Sequence, residues 1–520
     1  MRFSYWTSFL LVAIGLIPMD GFGQVPAVQP GGPLPYETQA YQGEAAGYLP
    51  ASESAPDFGA PRFASPGVAG PGPSRALNTG SNEPKPAWMA SHEIAVDPSG
   101  VDPNQSVEQR LAVLEEAWRK QKAAAERADQ AKSEKPSFQI GGQLQVDYLW
   151  VGQDAENRAQ VGDAQDAIDF RRARLVGRGE AFDILEYMIG FDFALADRVS
   201  FLDVWVGVRD LPLLGHARVG HFFEPFSLER ITQNQRNTFM ERSLLDTFAP
   251  ARNTGIEAYD SLGEEDRATY AVGWFATSAD QFGQQFTDNG GQAVTARTTW
   301  LPYWDDVSDG RSFIHVGAAY SFRTPPRGTF KFETYPEARL RPPVGSSPVI
   351  KPDPFVSTGD ISANNSQLAG CEFAWVAGPL YIQSEYAVVS VDQVGGSQLF
   401  FDAAYVNVSY FLTGENRTYN KLFGMIDRVY PHENFFRVRT VDGGIGRGKG
   451  AWEIAGRYSF IDLNDANIQG GTLHDFTIGL NWYLNAFTRV KWELIQANLN
   501  RAPVGESQAY IAGMRFDIDF

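Results

Sequence analysis

Read in steps of two, the last eleven residues, Tyr510 to Phe520 (YIAGMRFDIDF), separate into two faces. Tyr510, Ala512, Met514, Phe516, Ile518 and Phe520 fall on one side; Ile511, Gly513, Arg515, Asp517 and Asp519 fall on the other. The rhythm recurs upstream. In Phe138 to Trp150, Ile140, Gly142, Leu144, Val146, Tyr148 and Trp150 oppose Gln143, Gln145 and Asp147. In Leu185 to Asp197, Tyr187, Ile189, Phe191, Phe193 and Leu195 oppose Glu186, Gly190 and Asp192. Further runs start at Leu202, Ile314, Trp452 and Phe476, with aromatic residues near their ends. An apolar outside, a polar inside and aromatic girdles describe a transmembrane antiparallel β-barrel. From Pro136 to Phe520 there are 385 residues; at roughly 24 per strand with its turn, they make about 16 strands, an even number as such barrels favour. Asp280 to Gly291 and Pro342 to Asn365 read as longer external loops.

The chain before Pro136 follows other patterns. Arg2, the apolar run Phe9 to Ile17, Pro18 and the small residues Gly21 and Gly23 read as a signal peptide over 1–23. Residues 24–105, dense in Pro, Gly, Ala and Ser, hold too few periodic apolar positions to offset their chain entropy, so this segment is expected to be disordered. It reads either as a periplasmic tether toward the cell wall or as a spacer. Within 106–135, Val107, Leu111, Leu114 and Trp118 form a short heptad stripe, continued by Gln121, Ala125, Ala128 and Lys132, until Pro136. Such a short helix is marginal alone. It reads as a coiled coil of identical helices or as a single amphipathic helix at the barrel mouth.

Composition changes the picture in three ways. A mean hydropathy of -0.27 is too polar for a helical membrane protein but suits a barrel whose alternate residues meet lipid. A formal charge of -18 argues against nucleic acid as a partner. The lone cysteine, Cys371, excludes an intrachain disulfide. From Pro136 onward, 28 Arg and 5 Lys stand against 47 acids. Arginine so dominant among the cations fits ordered contacts with carboxylate or phosphate in a lumen.

The sharpest chemistry lies in DFRRARLVGRG, where Arg172, Arg174 and Arg178 share one side with Val176, and Arg171 falls on the other with Ala173, Leu175 and Gly177. Three arginines on one face cannot meet lipid, at about 2–4 kcal/mol each near the midplane. They either conduct anions or brace the lumen against acids. Catalytic signatures are poor. GGIGRGKG at 443–450 lacks the Ser or Thr of a phosphate-binding loop and reads as a turn, and the six histidines lack ligand spacing. No enzymatic activity, cofactor or metal is expected.

The stretch GHFFEPFSLERITQNQRNTFMERSLLDTFAPARNTGI resembles the signature region of the phosphate-selective porin O and P family. Gly220, Phe222, Glu224, Pro225, Phe226, Ser227, Glu229, Phe239 to Arg242, Pro250, Arg252 and Gly255 carry the likeness, supported by Arg171 to Arg174, Tyr410 to Glu415 and Gly479 to Asn485. The resemblance implies a homotrimeric 16-stranded outer-membrane barrel narrowed by an infolded loop, here about 224–254. It implies that arginines guide anionic solutes such as phosphate or polyphosphate past outer-membrane lipid on the barrel's outside. Carried onto this chain, Arg230, Arg236, Arg242 and Arg252, facing Arg172, Arg174 and Arg178, are the anion-binding candidates. Glu224, Pro225, Phe226, Glu229 and Glu241 belong to the constriction loop. Phe520 resembles the terminal aromatic that such barrels present to their assembly machinery. In place of a lysine cluster, Lys331, Lys351, Lys421, Lys449 and Lys491 stand singly. The expected function is passive diffusion of small anions. The alternatives are a closed barrel anchoring the outer membrane to the cell wall, and a soluble extracellular β protein.

Overall fold

A computed structural model describes residues 115–116, 118–120, 122, 136–194, 199–277, 282–285, 287–340, 352–439 and 444–520. The expected signal peptide and the Pro- and Gly-rich segment lie outside the described residues. Of the expected coiled coil, Glu115, Glu116, Trp118, Arg119, Lys120 and Lys122 are described, and they are helical.

Sixteen long strands form the barrel. They are β1 (Gln139–Gln153), β2 (Ala167–Ala181), β3 (Leu185–Asp192), β4 (Ser200–Leu211), β5 (Gly215–Phe223), β6 (Arg252–Leu262), β7 (Ala268–Ala276) and β8 (Gln292–Trp304). The circuit continues through β9 (Ser312–Arg323), β10 (Ile361–Ala377), β11 (Leu380–Gln393), β12 (Gln398–Phe411), β13 (Ala451–Asp465), β14 (Ile468–Tyr483), β15 (Thr488–Arg501) and β16 (Gly505–Asp519). Each pairs antiparallel with the next, and β16 closes on β1 from Gln143 opposite Asp519 to Gln153 opposite Ala509. Closure leaves no unpaired edge, the condition for strands to cross a bilayer. Pro136 and Phe520 therefore lie at one end, with the turns at 182–184, 212–214 and 378–379; connections such as 224–251 and 324–360 leave from the opposite end.

Period two sets the faces. In β16, Ile511, Gly513, Arg515, Asp517 and Asp519 are buried inside, while Tyr510 and Phe516 are exposed outside. One departure comes from a β-bulge: opposite Gln145 and Val146, β2 skips from Arg172 to Phe170. Arg171 thereby joins Arg172 on the inside, where its guanidinium holds Glu241, against the strict alternation of the sequence.

The interior is filled from both ends. At the end opposite the termini, the inward positions of β10–β16 turn apolar, with Ile361, Val389, Val391, Leu399, Phe401, Ile461, Leu463, Leu473, Leu499 and Ile511 buried. Against them pack Phe226, Leu244, Leu245 and Phe248 of 224–251, and Leu340, Phe355 and Val356 of 324–360. The region from Pro342 to Asn365 is thus not wholly an external loop: Asn365 lies within β10, and Phe355 and Val356 turn inward because apolar partners await them there. At the terminal end, the long connection 412–450 enters. Its Tyr419, Met425 and Ile426 meet Leu301, Trp304, Phe313 and Tyr381.

Phe401, fully buried inside, and Phe400, 55% exposed outside, are neighbours on opposite faces of the wall. Phe401→Ala is expected to cost about 3–5 kcal/mol of stability, and Phe400→Ala less than half of that, measured by urea unfolding in detergent.

Candidate functional site

The infolded segment begins where β5 ends. Glu224, fully buried, accepts hydrogen bonds from Arg323 Nη1 at 2.6 Å, Asn253 Nδ2 at 2.7 Å and Thr295 Oγ1 at 2.6 Å. Pro225 and Phe226 follow, both buried. Phe226 presses on the wall at Gly370, where an added Cβ would come within 3.1 Å of its ring. The chain then makes a single helical turn, α1 (Leu228–Ile231). Its first amides donate to the Glu385 carboxylate, Leu228 N at 3.0 Å and Glu229 N at 2.8 Å. Glu229 accepts from Ser243 N at 2.9 Å and Ser243 Oγ at 2.7 Å, and lies 3.3 Å from Arg457. These contacts fold the segment across the lumen rather than away from it.

Between this segment and the β2–β5 wall lies a cavity of about 470 Å³. Its lining includes Arg171, Arg172 and Arg174 on β2, Arg230 and Arg242 on the infolded segment, and Arg252 at the start of β6. Glu241, Asp246, Phe201, His221 and Phe223 complete most of the surface. Arg174 pairs with Asp192 at 2.7 Å and donates to Asn234 at 2.9 Å. Arg172 donates to Gln145 at 2.7 Å and stands 3.5 Å from Glu241, with its Nε left without a partner. Arg252 holds Asp203 at 2.7 Å. Arg230 lies 2.9 Å and Arg242 3.7 Å from the same carboxylate, Asp246. Six guanidiniums therefore face two carboxylates on the lining, Glu241 and Asp246. Asp192 and Asp203 stand behind as partners of single arginines.

Two groups on the infolded segment show the field. Burial opposes ionisation of Glu241, but Arg171, Arg172 and Arg515 hold its carboxyl well below the usual range. Burial brings Arg230 down to about 10 against the pull of Asp246, with Arg242 and Arg252 adding to the fall. Both remain charged at neutral pH.

The cavity thus brings together Arg172, Arg174, Arg230, Arg242 and Arg252 of the sequence candidates, with Glu241. It does not include Arg178, exposed toward the terminal end of β2. Nor does it include Arg236, buried near Asp519 at 3.3 Å and Asp427 at 3.4 Å. Arg178 lies opposite Gln139 at the start of β1, and Arg236 is drawn to the acids of β16 and the 412–450 connection. Sequence reasoning did not single out Asp246 or Phe223 for this cavity. It also missed Arg171, whose inward turn depends on the bulge. Among the described residues, no group of three or more His, Cys, Asp or Glu side chains could hold a metal ion.

A closed, antiparallel barrel with an infolded segment and a charged cavity defines an outer-membrane porin. The chain belongs to the family Phosphate-selective porin O and P, whose pattern matches residues 138–516. Porin O of Pseudomonas aeruginosa is 25% identical over 406 residues, covering 70% of this chain and 84% of that protein. An uncharacterized protein of Caulobacter vibrioides is 26% identical over 403 residues, 74% of each chain. Among solved structures, an anion-selective porin from Comamonas acidovorans matches 74% of this chain and all of that one, at 13% identity and a TM-score of 0.45.

Removing the Glu385 carboxylate would leave two amides of α1 without acceptors, at a cost of about 1–3 kcal/mol each. Glu385→Ala is therefore expected to expose 228–243 to protease in the folded barrel, read as nicking by mass spectrometry, while the wild type stays intact.

Proposed function

We propose that the cavity is the selective part of a pore for small anions, with phosphate or polyphosphate as the solutes that the family suggests. The observation that carries this reading is the six arginines facing two carboxylates in one cavity. In a narrow passage of low dielectric, fixed guanidiniums replace part of an anion's hydration and repel cations. Glu224, Pro225, Phe226 and Glu229 act as supports that seat the infolded segment. Glu241 sets the net charge by sharing itself among Arg171, Arg172 and Arg515. The working assembly is a homotrimer. Pro136 lies at the end that carries Phe520, and this end fits a periplasmic position.

A second reading, a closed barrel serving as an anchor, is favoured by the apolar packing of three inward segments against the wall. Conductance separates the two. Reconstituted in a planar bilayer across a potassium chloride gradient, the protein is expected to give an anion-selective reversal potential. Arg252→Ala is expected to lower the anion-to-cation permeability ratio severalfold, since a unit charge at 4 Å is worth about 4 kcal/mol at an effective dielectric of 20 before screening by salt. Arg178→Ala is expected to leave the ratio unchanged. A cation-selective potential would end the anion reading, and folded protein without conductance would select the anchor.

A further inference from the structure

We propose that Phe223 is the residue that positions the pore's free positive charge, gathering three of the cavity's guanidiniums around one ring. This inference rests on the anion-conducting reading above. Phe223 is the last residue of β5 and pairs with Arg252 across the ladder to β6, so its backbone is fixed by the wall. Its half-buried ring lines the cavity. The guanidinium carbon of Arg252 stands 3.9 Å from the ring centroid, that of Arg230 5.6 Å and that of Arg242 5.7 Å. All three lie within the distance at which a ring's negative face attracts a cation.

The three cations share two carboxylates, Asp203 and Asp246. Left to themselves, three like charges so close together would separate or draw in another acid. Main-chain carbonyls hold part of them: Arg230 donates to Asp246 O at 2.9 Å and Ala249 O at 2.7 Å, and Arg242 to Glu229 O at 3.0 Å. The ring supplies the rest of the attraction and has no formal charge. It therefore keeps the cluster in place without neutralising it, leaving a net positive field for a passing anion. Glu241 does the opposite on the β2 side, where it holds arginines by cancelling their charge. Arg218 offers an internal contrast. It stands over Trp205, Phe222 and Tyr259, but Glu257 pairs with it one to one at 2.9 Å, so no surplus charge results.

Leucine at 223 keeps an apolar side chain and removes the ring's quadrupole; tyrosine keeps both. The test compares full-length wild type, F223L and F223Y in planar bilayers, each first shown to be folded by its heat-modifiable mobility. F223L is expected to lower the anion-to-cation permeability ratio at least about threefold, on the scale of one cation–π contact. F223Y is expected to retain the wild-type ratio, a rescue that loss of packing alone would not produce. If F223L does not fold, F223M stands in for it, with the same expectation. An unchanged ratio in the folded leucine or methionine variant, or an equal loss in F223Y, would overturn the role of Phe223. An anion-selective wild type with an unaffected F223L would sink this inference alone. A wild type without anion selectivity would remove the reading beneath it.

Discussion

The interior of this barrel depends on the pairing of β16 with β1. That ladder closes the wall, and its register fixes which residues of β1 and β16 face inward, because a slip of one residue would exchange their two faces. Across the seam, Arg515 donates to both oxygens of Asp147 at 2.6 Å, and its Nη2 reaches Glu241 of the infolded segment at 2.6 Å. Two residues farther along, Arg489 meets Asp517 at 3.2 Å; Asp519 then receives Arg489, Arg236 and Arg428. The last strand thus closes the barrel and anchors both the infolded segment and the 412–450 connection.

Charge is distributed unevenly around the interior. Along β8–β13, buried or half-buried arginines meet buried carboxylates nearly one to one: Arg297 with Glu372, Arg323 with Glu224, Arg417 with Glu453, Arg457 with Glu337. Breaking such a pair would strand a buried charge. On the cavity lining, by contrast, Glu241 and Asp246 are each shared by two or more arginines, and the surplus is positive. An acidic chain can therefore surround a positive cavity, because many of its acids lie on exposed turns such as Asp306, Asp309 and Glu264 to Asp266. Net charge describes the whole surface, whereas the field inside the cavity is set by the few groups that line it.

Much of this was legible in the sequence. The alternation in Tyr510 to Phe520 and in Phe138 to Trp150 gave the faces, and chain length gave the strand number, because both follow from backbone geometry. The arginines of β2 announced themselves because lipid excludes them. What stayed hidden depends on contacts between distant residues. The bulge that turns Arg171 inward is set by pairing with β1. The apolar filling at Val389, Phe401 and Leu463 alternates as an ordinary strand does, so its partners in 224–251 and 324–360 leave no periodic trace. The connection 412–450 is rich in polar and turn residues, with no apolar alternation to mark an inward course, yet its Arg417 is buried against Glu453. Phe223 looked like one more aromatic residue at a strand end, and only the meeting of β5, β6 and the infolded segment shows what surrounds it.

Arg417 also donates through Nη1 to the main-chain oxygen of Arg236 at 2.7 Å, and through Nη2 to Thr238 Oγ1 at 2.9 Å. A segment from the middle of the chain is thus seated by one that emerges about 180 residues later. The seat of Arg236 and Thr238 is therefore complete only when the 412–450 connection is in place. A change in the 412–450 connection would therefore reach the infolded segment without altering any residue of that segment itself.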